Sequence, residues 1–80
     1  MSTKQELQAQ ILITERRLEL YREAEEAILH GQSYEMENLK LTRANLKDVQ
    51  SMIASLEAKI SALKAQLRGR SRFRVVRPGW

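Results

Sequence analysis

From Leu46 onward, seven aliphatic side chains (Leu46, Val49, Ile53, Leu56, Ile60, Leu63 and Leu67) advance by alternating steps of three and four residues. Side chains spaced in this way share one stripe of an α-helix, and the unbroken seven-residue repeat marks a seam that packs lengthwise on another helix. The spacing predicts a helix over 42–68, roughly 40 Å long at 1.5 Å per residue. A second stripe lies upstream: Leu7, Ile11, Leu18, Tyr21 and Ile28 recur at sums of three and four, with Ile13, Ala24 and Ala27 widening it. This predicts a helix over 4–30. Ser2 and Thr3 are available as caps, and His30-Gly31 closes it where glycine takes the left-handed conformation. Two helices of similar length joined by a reversal are expected to bury their stripes on each other rather than in a coiled coil between chains.

The reversal lies in Gln32 to Leu41, where Tyr34, Met36, Leu39 and Leu41 are separated by polar residues. A two-residue turn at Glu37-Asn38 sets Met36 opposite Leu39 and Tyr34 opposite Leu41, with all four side chains on one face of a hairpin. Two isolated strands are marginal in water, so that face is expected to lie on the helices. Thr42, with Asn45 three residues later, is a variant of the capping box at the head of the second helix. The fold class expected is α+β: two long antiparallel helices flanking a small two-stranded hairpin.

Charge divides the chain differently. Residues 1–67 carry nine basic and ten acidic side chains, whereas Arg68, Arg70, Arg72, Arg74 and Arg77 follow with no acid among them. Composition changes at the same place, from helix formers to Gly69, Val75-Val76 and Pro78-Gly79. Two units are expected, a helix-hairpin-helix body over 1–68 and an extended basic arm over 69–80. In an extended arm Arg70, Arg72 and Arg74 line one side and Ser71, Phe73 and Val75 the other, an arrangement suited to a sheet edge, a groove or a phosphate backbone. Arg68, Arg70, Arg72, Phe73, Arg74, Val75, Val76, Arg77 and Trp80 are the candidate partner-binding residues. Glu23, Glu25 and Glu26 crowd the last turns of the first helix, where the helix dipole disfavours acids, and are expected to face a basic partner.

Several chemistries lose their raw material. A chain of 80 residues has a thin core and little room for an enclosed site. It has no Cys and one His, too few ligands for an ordinary zinc site, and His30 stands beside a helix-ending glycine without a neighbouring carboxylate triad, Cys or second His. Its serines have no base at a recognisable spacing, and Gly31, Gly69 and Gly79 form no phosphate-cradling loop. No enzyme activity, cofactor or metal is expected. The longest apolar run is Ile11-Leu12-Ile13, and the polar start has no signal-peptide pattern, so no membrane role is expected and synthesis in the cytoplasm is.

The combination of Gly31-Gln32-Ser33-Tyr34, a small hairpin, Leu41-Thr42-Arg43-Ala44-Asn45-Leu46 and an arginine- and valine-rich tail resembles the gpW-like head-completion, or head-to-tail joining, proteins of tailed bacteriophages. The likeness covers residues 18–77, with a shorter hairpin turn and a longer first helix than the best-known gpW protein. It implies a structural protein of the virion neck, made in the host cytoplasm, that docks as a homo-oligomeric ring of about twelve copies on the portal. Such a ring helps to retain packaged DNA, with possible phosphate contacts, and presents the surface for the next neck or tail protein. Gly31, Tyr34, Met36, Leu39, Leu41, Thr42, Leu46, Val49, Ile53, Leu56 and Ile60 are then fold-defining, and the tail arginines the contact segment. An arginine-rich arm would also suit a small dimeric nucleic-acid-binding regulator, although the second helix lacks a basic recognition face and no helix-turn-helix spacing is present.

Overall fold

The computed structural model describes residues 3–72, with side chains through residue 69. Its elements, in chain order, are α1 (Lys4–Leu29), β1 (Tyr34–Met36), β2 (Leu39–Leu41), a single 3-10 turn (Arg43–Asn45) and α2 (Leu46–Arg72). The radius of gyration is 17.0 Å, against roughly 12 Å for a compact globule of this length. The molecule is a rod with principal extents of 56 × 24 × 16 Å.

Both ends of α1 are closed by hydrogen bonds that the sequence encodes locally. Thr3 Oγ1 accepts from the Glu6 N–H at 3.1 Å, and Glu6 Oε1 accepts in return from the Thr3 N–H at 2.9 Å, a reciprocal capping box. At the other end Gly31 sits at φ 81°, its N–H donating to the Ile28 carbonyl (3.0 Å), while the Gln32 N–H reaches the Ala27 carbonyl (2.8 Å). This is the Schellman closure, which needs a left-handed residue at Gly31. His30 Nδ1 lies 2.8 Å from the Glu26 carbonyl oxygen; a carbonyl only accepts, so Nδ1 carries the hydrogen and the ring serves as a further helix-end donor.

The helices run antiparallel, and the core is a file of three small clusters along their seam. Leu7 and Ile11 near the start of α1 meet Leu63 near the end of α2, with Leu67 packed against them. Leu18 meets Leu56 and Ile60 in the middle. Ala24 and Ile28 meet Val49, Met36 and Leu41 at the hairpin end. The seam is thus filled from within the chain as far as Leu67. Thr14 belongs to the buried stripe as well, made tolerable there by a 2.6 Å bond from its hydroxyl to the Gln10 carbonyl.

The hairpin has the expected register, Tyr34 opposite Leu41 and Met36 opposite Leu39, with Glu35 and Lys40 as an opposite-charge pair between them. Glu37 opens its two-residue turn at φ 54°, a conformation for which glycine is the ordinary occupant. Asn45 Oδ1 accepts from the Thr42 N–H (2.9 Å) and its hydroxyl (3.3 Å), holding the chain as it enters α2.

Three expectations need correcting. Leu39 is 53% exposed while Met36 and Leu41 are buried: Met36, on the strand that contacts α1, and Leu41, at the end of β2 away from the turn, join the cluster of Ala24, Ile28 and Val49, and Leu39 beside the turn does not. Ile13 is 63% exposed, since one stripe of α1 suffices to cover one stripe of α2 and a second flank has nothing to rest on. Finally, α2 continues to Arg72, four residues past the expected end at 68. Gly69 weakens a helix by about 1 kcal/mol but stops one only where a left-handed cap follows, and the flanking arginines are good helix formers.

Val49, only 1% exposed, is the site where a charge should be intolerable: Val49→Asp is expected to abolish the cooperative thermal transition, whereas Leu39→Ser should cost under about 1 kcal/mol. Glu37→Gly relieves the left-handed turn residue and should raise stability by roughly 1 kcal/mol, read as a higher urea midpoint at an unchanged m-value.

Candidate interaction surface

The candidate partner-binding residues divide at the end of the described structure. Arg68 is exposed on the last turns of α2. Arg70 and Arg72 belong to the backbone of the same helix, so the arginine-rich stretch begins on a helix rather than in an extended arm. Phe73, Arg74, Val75, Val76, Arg77 and Trp80 lie outside the described residues.

The fold-defining residues converge at the opposite end of the rod. Tyr34, Leu46 and Ile53 pack as half-buried side chains against the Ala24, Ile28, Met36, Leu41 and Val49 cluster, and Leu56 and Ile60 continue the seam. Tyr34 does more than pack. Its phenol donates to Glu23 Oε1 at 2.7 Å, tying the first strand to α1. That bond, with desolvation and the negative charge of Glu23 behind it, holds the phenol above its usual pKa of 10.0.

Charged side chains missed by the sequence reading line one flank of the seam. Arg22 Nη2 pairs with Glu57 Oε2 at 2.7 Å, and Lys64 Nζ with Glu15 Oε2 at 3.2 Å. Gln50 Nε2 donates to Glu25 Oε2 at 3.0 Å. Seven residues forward along α1, from Glu15 to Arg22, match seven residues back along α2, from Lys64 to Glu57, as antiparallel helices require. Each ion pair is about half exposed and contributes at most about 1 kcal/mol, so these contacts select the register more than they stabilise it. A signal was available, because Glu57 and Lys64 each directly follow a seam residue, the flanking position where interhelical pairs form.

Between the two helices on this flank runs an open groove. Its first stretch is lined by Glu15, Glu19, Arg22, Glu57, Ser61 and Lys64 over Leu18 and Ile60. Its second, toward the hairpin, shares Arg22 and Glu57 and is lined by Glu25, Glu26 and His30 over Leu29 and Ile53. Of the three glutamates expected to face a basic partner, Glu23 is engaged by Tyr34 and Glu25 by Gln50, while the Glu26 carboxylate meets no hydrogen-bond or ion-pair partner among the described residues. Among those residues no three His, Asp or Glu side chains are grouped to hold a metal ion, and no helix is long and apolar enough to cross a membrane.

A family model described as "Family of unknown function (DUF6148)" matches residues 1–78. The chain belongs to that family. No curated protein and no solved structure matches it. Membership of DUF6148 thus spans both helices, the hairpin and nearly all of the arginine-rich end, and treats them as one unit.

Because the neutral phenol of Tyr34 is the donor and its folded-state pKa is raised, the contact stabilises the fold at neutral pH and is lost as pH rises through that value. In an NMR titration of the ring, Tyr34 is expected to ionise above 10.0, and Glu23→Ala to bring the midpoint back toward it.

Proposed function

We propose that this protein is a structural head-completion protein of a tailed bacteriophage. It docks as a homo-oligomeric ring on the portal, helps to retain the packaged DNA, and forms the attachment surface for the next neck or tail protein. Its place of action is the neck of the virion, it catalyses no reaction, and it needs no cofactor.

The observation that carries this reading is the order and register of local structure around the reversal. A helix closed by Gly31, a hairpin that starts at Tyr34, and a Thr42-Asn45 entry into a second long helix follow one another as the resemblance to gpW-like proteins implies. The shape is in keeping with it. A slim rod 56 Å long gains little stability from its own core and leaves much of its surface available for contacts with neighbours. Charge separation adds a direction, with six glutamates against Arg22 alone in residues 19–37 and only arginines among the charged residues from 68 onward. In the assembled ring, the arginines of the C-terminal segment meet carboxylates or DNA phosphates with paired hydrogen bonds.

The test is native mass spectrometry of the full chain mixed with the portal ring of its own phage, and separately with a random-sequence DNA duplex. Saturable addition of a complete ring of copies to the portal is expected, and deletion of residues 69–80 should leave the thermal transition in place while abolishing that addition. Binding as a discrete dimer to DNA, with indifference to the portal, would overturn the reading in favour of a nucleic-acid-binding regulator.

A further inference from the structure

The hairpin-proximal half of the groove offers a partner open carboxylates beside exposed apolar surface, and so suits a segment that carries both arginines and apolar side chains. Its floor is Leu29, 54% exposed, and half-buried Ile53. Glu25, Glu26 and Glu57 stand along its walls against a single cation, Arg22, which is already paired to Glu57. Glu25 receives only the neutral amide of Gln50, and the Glu26 carboxylate has no partner among the described residues. Apolar surface left open between uncompensated carboxylates is complementary to side chains of that mixed kind.

One stretch of the sequence has this composition: Phe73-Arg74-Val75-Val76-Arg77-Pro78-Gly79-Trp80. We propose that this segment of a second copy of the chain docks in the groove, with Arg74 and Arg77 on the glutamates and its apolar side chains on Leu29 and Ile53.

Reach keeps the chain's own Arg74 and Arg77 from Glu25 and Glu26. Gln50, which marks the level of Glu25, lies about 33 Å back along α2 from Arg72 at 1.5 Å per residue. Eight residues drawn out fully span roughly 26 to 29 Å, and Arg77 lies only five residues past the helix, roughly 18 Å at most. The groove and the end of α2, from which the segment continues, therefore lie at opposite ends of one rod, so that each copy offers one donor and one acceptor. A contact of this head-to-tail kind closes into rings when the rotation permits. The contact deepens the ring reading above, and rests on it for its biological use.

The chain has no cysteine, so Gly79→Cys carries a single spin label without further changes. The labelled full chain is mixed with an unlabelled, nitrogen-15-enriched full chain at concentrations where sedimentation shows association. Expected is broadening of the Glu25, Glu26 and Leu29 amide signals in the enriched copies. The pair Glu26→Lys and Leu29→Ser in the enriched copies should remove that broadening and weaken association about tenfold, as should added salt. Both residues are exposed and lysine suits a helix C-terminus, so the variant is expected to keep its thermal transition. A chain that stays monomeric, broadening confined to other residues, or broadening that survives the double substitution would overturn the proposal. No portal is present in this experiment. A chain that makes the contact yet ignores the portal fails the neck reading alone; one that rings the portal without the contact fails this inference alone.

Discussion

Everything in this molecule hangs on the lengthwise contact between α1 and α2. Neither helix buries an apolar stripe without the other, and the hairpin has no face to rest on until both are in place. The contact is one side chain deep. Its three clusters follow each other along the rod instead of gathering into a centre, so each buried residue touches few others and the loss of one is poorly shared. A small domain with a stability of several kcal/mol has little reserve under such an arrangement. The reciprocal box at Thr3 and the Schellman turn at Gly31 matter more here than in a larger protein, because they satisfy helix-end groups that no surrounding structure would cover.

The hairpin shows how far local pattern carries. Its register follows from the alternation of Tyr34, Met36, Leu39 and Leu41 about a two-residue turn, since a slip of one residue would turn every apolar side chain outward. The same alternation says nothing about how much of that face is covered. That Met36 and Leu41 are buried and Leu39 is not depends on how much of the hairpin the helices cover, a fact about tertiary placement. Ile13 makes the same point on α1. Periodicity marks a broad apolar stripe, but the width actually covered is set by the partner helix, and Ile13 lies beyond it.

Charge is organised by both levels. The excess of arginine after residue 67 is written in the chain, as is the run of glutamates in the second half of α1. The antiparallel packing turns this linear asymmetry into a spatial one, because it carries the end of α2 to the start of α1 and leaves the glutamates beside the hairpin. It also divides the glutamates by task. Glu23 and Glu25 become internal acceptors for Tyr34 and Gln50, while Glu26 faces the groove. No spacing rule distinguishes the three, since the distinction lies in what the opposite element brings within hydrogen-bond reach.

By itself the sequence determined the two helical stripes, a hydroxyl cap at Ser2 or Thr3, the left-handed stop at Gly31, the reversal at Glu37-Asn38 and the sign of charge along the chain. Each rests on forces acting between residues a few positions apart, where periodicity and backbone geometry leave few choices. Only the tertiary structure decided that α2 runs through Gly69 to Arg72, that Thr14 is buried and Ile13 is not, and that Arg22 meets Glu57 across the seam. Those outcomes depend on the relative rotation and register of two helices, chosen by the sum of many weak contacts between distant residues. The open groove between Leu29 and Ile53 belongs to that second group, for it exists only once the helices have met.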